Sequence, residues 1–262
     1  MAAAKLAIKN ATKVYGAQPG GLLALDKINL NVEDGEFISL VGPSGCGKTT
    51  LLWSIAGLHH LTDGAIELDG RPISGPSPQI GMMFQEANLL PWRTVQKNIE
   101  FPFEIRGVQP NRQKIGELLE RVGLSGFGQR MPRELSGGMQ QRASIVRALS
   151  TDPDVLLMDE PFGALDAFTR DEMNLLMEEI WLETGKTIVL ITHSIQEAVF
   201  LSNKVHVMSA RPGRMSKTFE VPFARKRSLE LMETREFFDL VNEIKSEIQH
   251  QPGAGSALAA AE

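Results

Sequence analysis

The stretch Phe37-Ile-Ser-Leu-Val41-Gly42-Pro43-Ser44-Gly45-Cys46-Gly47-Lys48-Thr49-Thr50 runs from an apolar strand directly into a glycine-rich loop and then into a helix. It fills every position of the phosphate-binding loop pattern and has the strand before and helix after that the pattern requires. Glycines let the backbone curl so that successive amides face phosphate oxygens, and the helix N-terminus adds a favourable field. Lys48 is thereby placed to reach the β- and γ-phosphates, and Thr49 to ligand magnesium. A glycine-rich turn that merely capped a helix would not need all of these positions filled.

Working outward, Leu25, Ile28, Leu30 and Val32 approach alternation, and Asp34-Gly35 turns the chain into the strand before the loop. Beyond the loop, Thr49 to Gly57 is predicted as a helix, Gly64 to Asp69 as a strand and Ile80 to Phe84 as a short buried strand ending at Gln85. From about Thr94 to Ser150 the pattern becomes helical, including Lys114 to Val122 and the segment after Ser136. Strands and helices then alternate through Asp154 to Asp159, Phe168 to Thr184, Thr187 to Thr192, Ile195 to Leu201 and Lys204 to Met208. Such alternation predicts an α/β fold, a mainly parallel sheet covered by helices, with an inserted helical lobe. Ser228 to Gln249 reads as a C-terminal amphipathic helical segment, and Pro252 to Glu262 as a frayed, Gly/Ala-rich tail.

Composition narrows the possibilities. A chain of 262 residues, 42% hydrophobic, can bury one substantial core with a satellite lobe. Its net charge of -5 argues against a nucleic-acid binder. The single cysteine, Cys46, excludes an internal disulfide framework and fits a reducing compartment. Lys5 and Lys9 interrupt the N-terminal apolar run, so no secretion signal is expected. Apolar runs such as Val155 to Met158 are far shorter than the roughly 20 residues of a membrane-spanning helix, so any transport path must come from another polypeptide.

Two further motifs carry chemistry. Val155-Leu-Leu-Met-Asp159-Glu160 is an apolar run that presents two carboxylates at its C-terminal end, where a nucleotide would lie beside a parallel sheet. Leu135-Ser136-Gly137-Gly138-Met139-Gln140-Gln141-Arg142 opens a helix with a hydroxyl and no side-chain bulk, which suits close approach to a γ-phosphate. By itself Ser-Gly-Gly would be a simple cap and turn.

Together, and in this order, the motifs resemble the ATP-binding cassette (ABC) family from about Leu6 through Arg214. The resemblance implies a P-loop NTPase cassette with a RecA-like core, a small antiparallel β subdomain and an inserted helical subdomain. It divides the chain into a cassette over residues 1–225, with the helical subdomain at about 90–150, a helical extension over 226–251 and a tail over 252–262. ATP and Mg2+ are the implied ligands. Gly42, Pro43, Ser44, Gly45, Cys46, Gly47, Lys48, Thr49 and Thr50 would hold the phosphates, Tyr15 would stack on adenine, and Thr49, Gln85 and Asp159 would hold the magnesium shell. Glu160 is placed to polarise the attacking water, His193 to contact the γ-phosphate and Gln85 to sense metal and water. Ser194 stands where many relatives have aspartate. Ser136, Gly137, Gly138 and Asp166, the last in the Gly163-Ala164-Leu165-Asp166 loop, would contact ATP held by a second copy, making a homodimer the working unit.

The resemblance also favours a transport cassette, because the coiled-coil insertion, zinc module or tandem cassette usual in repair and translation relatives is not evident. It implies two transmembrane permease subunits, a solute-binding protein acting indirectly, no nucleic acid and a peripheral position on the cytoplasmic membrane face. Leu89-Leu90-Pro91-Trp92 is an apolar loop cluster suited to receiving a permease helix. Ser209-Ala-Arg-Pro-Gly-Arg214, with Pro161-Phe162-Gly163 and Leu90-Pro91-Trp92-Arg93, looks like the importer branch for nitrate, aliphatic sulfonates, taurine and related small organic solutes. Cys46, inside the phosphate loop where only its backbone is needed, reads as a tolerated small residue; the alternative is that alkylation of its thiol would block ATP binding sterically and that ATP would protect it.

Overall fold

The computed structural model describes residues 4–16 and 20–250. Its frame is a six-stranded sheet in the order β10-β9-β3-β8-β7-β6, from Ile80–Met83 (β6), Val155–Asp159 (β7), Thr187–Ile191 (β8), Phe37–Val41 (β3), Lys204–Met208 (β9) and Met215–Glu220 (β10). All neighbours pair in parallel except β9 and β10. Strands β3 and β8 are buried at every residue, which is why they read as unbroken apolar runs rather than alternating ones. Helices Lys48–Ile55 (α1), Gly137–Ser150 (α4), Ala167–Thr184 (α5) and Ile195–Leu201 (α6) connect them.

A second sheet, β2-β1-β4-β5, is antiparallel and comprises Leu22–Val32 (β2), Leu6–Tyr15 (β1), Asp63–Leu68 (β4) and Arg71–Pro72 (β5). Strand β1 and the edge strand β10 do not stand out in the sequence. In β1 the register shifts repeatedly and Asn10 takes φ 50°, so alternation is lost. In β10 only Phe219 is buried, because that strand closes the sheet edge.

The helical lobe lies where its pattern predicts, with Val95–Arg106 (α2) and Arg112–Arg121 (α3) packed on α4. Thr94, Asn111 and Ser136 cap α2, α3 and α4, each accepting a backbone N–H from its own first turn. The C-terminal helical segment consists of a 3-10 turn over Leu229–Glu233 and a helix over Arg235–Gln249 (α7), separated where Thr234 caps the latter by accepting from Phe237 N. The segment leading to α7 is stapled to the core by buried Arg227, whose guanidinium donates to the carbonyls of Val199, Phe200 and Ser202, and by the Arg225–Glu178 ion pair. The tail over 252–262 lies outside the described residues. No helix among those described is long and apolar enough to cross a membrane.

Candidate functional site

The phosphate loop is held in shape from behind. Gly42 (φ 153°) and Gly47 (φ 104°) are backbone positions that exclude a side chain: a Cβ at Gly42 would lie 2.6 Å from Met208 O, and one at Gly47 would lie 2.8 Å from Leu25 Cδ2. Lys48 Nζ folds over the loop, donating to Gly42 O at 2.9 Å and Pro43 O at 3.1 Å. The Ser209–Arg214 loop buttresses this arrangement. Gly213 N donates to Ala24 O, Asp26 N donates to Gly213 O, and a Cβ at Gly213 would sit 2.1 Å from Cys46 O. What reads in the sequence as a branch signature is therefore also a support for the loop. Cys46 is 1% exposed, packed as a small residue within the loop, and this burial speaks against the alternative that its thiol is open to an alkylating reagent.

Two carboxylates meet the loop where β7 ends. Thr49 Oγ1 donates to Asp159 Oδ1 at 3.3 Å, so hydroxyl and carboxylate already form the oxygen pair that a hard divalent cation favours. Burial holds the Asp159 carboxyl above its usual range, neighbouring Glu160 adds to this, and Thr49 and Lys48 oppose it. Glu160 takes φ 48°, donates its amide to Ile191 O and pairs its carboxylate with His193 Nε2. A left-handed, non-glycine residue at such a place is strained backbone retained by its surroundings. Lys48, Thr49, Asp159, Glu160 and His193 thus form one cluster.

Gln85 is exposed at the end of β6 and faces the loop after Glu160, where a Cβ at Gly163 would lie 3.7 Å from its Nε2. Tyr15 is half-buried beside α1, its hydroxyl 3.0 Å from His59 Nδ1 and 3.4 Å from Thr50 Oγ1. His59, which orients that ring edge-on, carries no local sequence signal.

Ser136, Gly137, Gly138 and Asp166 lie together elsewhere. They line one hollow of about 570 Å3 with Arg142 and Glu172, and no phosphate-loop residue borders it. The two glycines differ. A Cβ at Gly138 would meet Thr169 Cγ2 at 2.8 Å, whereas one at Gly137 would meet nothing within 4 Å. Packing within the chain accounts for the first glycine and leaves the second open to an outside contact. Asp166 caps α5, accepting from Thr169 N and Oγ1, and these bonds hold its carboxyl below the usual range. Arg170 fastens the loop before it by donating to Phe162 O and Leu165 O.

Helix α4 joins this hollow to the segment after Gln85. Arg147, toward its C-terminal end, donates to Ala87 O at 2.7 Å and Asn88 O at 2.8 Å, while Gln141 donates to Phe84 O. The apolar cluster at the end of that segment is divided rather than wholly exposed. Leu89 packs on the main core, while Trp92 is 70% exposed. Asn98 fixes the turn by accepting from Leu90 N and donating to the carbonyls of Leu90, Arg93 and Thr94.

Sequence reasoning passes over Glu197, one turn beyond His193 on α6. It is 3% exposed, and its Oε1 has no partner. Burial, with Glu160 adding and Thr192 and Arg170 opposing, raises its pKa from 4.5 to about 7. A carboxyl whose folded pKa is raised contributes stability that is complete below the unfolded value and is lost as pH rises through the folded one. Melting curves at pH 5 and pH 8 should therefore show Glu197→Gln gaining on the parent as pH rises, by at most roughly 3 kcal/mol. A difference that does not change with pH would refute the assignment.

Comparison with known proteins adds to this geometry. The ABC transporter family profile matches residues 25–163. Aligned over 249 residues, the chain is 45% identical to an uncharacterized ABC transporter ATP-binding protein, MJ0412, of Methanocaldococcus jannaschii, covering 93% of this chain and 92% of that protein. It is 48% identical to the taurine import ATP-binding protein TauB of Escherichia coli over 80% of this chain and 83% of that one. It is 45% identical to the aliphatic sulfonates import ATP-binding protein SsuB of Bacillus licheniformis over 87% and 90%. Among solved structures, a dimeric post-hydrolysis state of the ATP-binding cassette MJ0796 bound to ADP and Pi aligns with TM-score 0.72 and 33% identity, covering 84% of this chain and all of that one.

Proposed function

We propose, since the chain belongs to the ABC transporter family, that it is the ATP-hydrolysing subunit of an importer for a small organic sulfonate such as taurine, working as a homodimer on two membrane-spanning subunits. The observation that carries the dimeric reading is the separation of Ser136 and Asp166 from the phosphate loop of their own chain. Two half-sites on one chain become two whole sites when a second copy brings its Ser136 to the first copy's Lys48. The sulfonate assignment is supported by relatives bearing that name, since the cassette itself does not touch solute.

In this reading Lys48 and the loop amides bind the β- and γ-phosphates of ATP, and Tyr15 receives the adenine. Thr49, Asp159 and Gln85 are the residues that would hold Mg2+, and the ion would supply positive charge against the phosphates. Glu160 orients the attacking water and accepts its proton, while His193 fixes the Glu160 carboxylate and faces the γ-phosphate. The subunit then lies on the cytoplasmic membrane face, with Trp92 and its loop toward the permease and a solute-binding protein acting from the other side.

The test is purification of the chain with its permease subunits, followed by ATPase assay in vesicles. The expected result is turnover raised severalfold by solute-loaded binding protein and unaffected by DNA. Stimulation by DNA, with no retention on membrane subunits, would instead assign the chain to a repair or maintenance ATPase.

A further inference from the structure

Phe168, two residues after Asp166, is 85% exposed, the most exposed of the large hydrophobic residues among those described. It is not a loose loop residue. The Asp166 cap and the Asp166–Thr169 bonds fix the first turn of α5, so the ring projects from a rigid support. Little among the described residues covers it.

A hollow of about 640 Å3, mostly apolar, lies on another part of the chain. Ser44 and His193 form its near wall, and Ile195, Phe238, Val241 and Ile248 its apolar lining, so α7 roofs a pocket that adjoins the phosphate loop. The amphipathic helix α7 buries only Phe237 and Ile244 fully, which leaves that lining open.

We propose that Phe168 of one copy seats in this hollow of a second copy, and that each copy both gives and receives a ring. The inference rests on the composite-site reading given above. Its geometry follows from continuity: Asp166 and Thr169 line the same depression as Ser136, so a Ser136 that reaches a neighbouring phosphate loop carries Phe168 toward that neighbour's Ser44 and His193. The dimeric state of the MJ0796 cassette supplies the class of partner, a second copy. In a two-fold dimer such a contact occurs twice, and pre-organisation of the ring on α5 lowers the entropic cost of making it. The C-terminal helix thereby becomes part of the ATP-closed interface.

The experiment uses the full chain carrying Glu160→Gln, with ATP. Phe168→Ala should weaken ATP-dependent dimerisation about tenfold or more, as loss of a buried phenylalanine predicts, with ATP binding by the monomer unchanged. In a Cys46→Ser background, chains carrying Phe168→Cys mixed with chains carrying Asn242→Cys should form a disulfide-linked dimer only when ATP is added. Chains carrying Ser136→Cys mixed with chains carrying Ser44→Cys report on the composite site itself. Cross-linking of the second pair without the first, or unchanged dimerisation by Phe168→Ala, overturns the inference alone. Failure of both pairs overturns the composite-site reading with it.

Discussion

Replacing Glu160 with glutamine is expected to lower ATP turnover about a hundredfold to ten-thousandfold, the usual contribution of a positioned general base, while leaving ATP affinity within about twofold. Glutamine keeps the length and hydrogen-bonding reach of the side chain but cannot accept the proton from water. The strained backbone at this residue, with φ 48° and its amide on Ile191 O, is set by the end of β7 and should survive the exchange. The His193 Nε2 contact then meets a side-chain amide in place of a carboxylate. In the proposed cycle hydrolysis reopens the pair of cassettes, so the variant should accumulate as an ATP-dependent dimer, visible by size-exclusion chromatography with and without ATP. Wild-type turnover would remove Glu160 from this role.

Ser136→Arg is expected to stop hydrolysis to a comparable extent while sparing ATP binding. The side chain enlarges an exposed helix N-terminus whose hydroxyl caps α4 by accepting from Met139 N. Losing that cap costs about 1 kcal/mol, too little to unfold a domain of this size. The larger consequence falls on the outside contact, since the neighbouring Gly137 faces open space. Mixed with Lys48→Ala chains, which keep Ser136, the variant should recover turnover, because each mixed dimer contains one complete site. Equal loss of ATP binding and hydrolysis in the Ser136→Arg chain would place the segment in its own chain's site.

Much of the frame was legible because its chemistry is local. The strand before the phosphate loop and the run from Val155 to Asp159 lie inside a parallel sheet, so burial on both faces leaves continuous apolar signatures. The phosphate loop and the paired carboxylates are contiguous in sequence and needed no knowledge of the fold. Edge strand β10 was obscured by its polar faces, and the Thr234 cap dividing the C-terminal segment was hidden within an amphipathic pattern. Long-range closure accounts for the remainder. The enclosure of Cys46 depends on a loop that returns only at Gly213, and Glu197 looked ordinary because Arg170 and Glu160 reach it from separate elements. Gly138 has an intrachain reason in Thr169, which no reading of the motif alone could separate from the freedom of Gly137.

Helix α4 spans 14 residues, about 21 Å, with Ser136 at its start and the Arg147 clamp on Ala87 and Asn88 near its end. A body so joined obeys reciprocity: in the proposed assembly, the factor by which ATP on one copy tightens permease docking at its neighbour's Trp92 loop must equal the factor by which that docking tightens ATP. Each nucleotide therefore gauges the occupancy of the opposite docking loop rather than only its own, and an isolated cassette should bind ATP without the affinity that the assembled transporter confers.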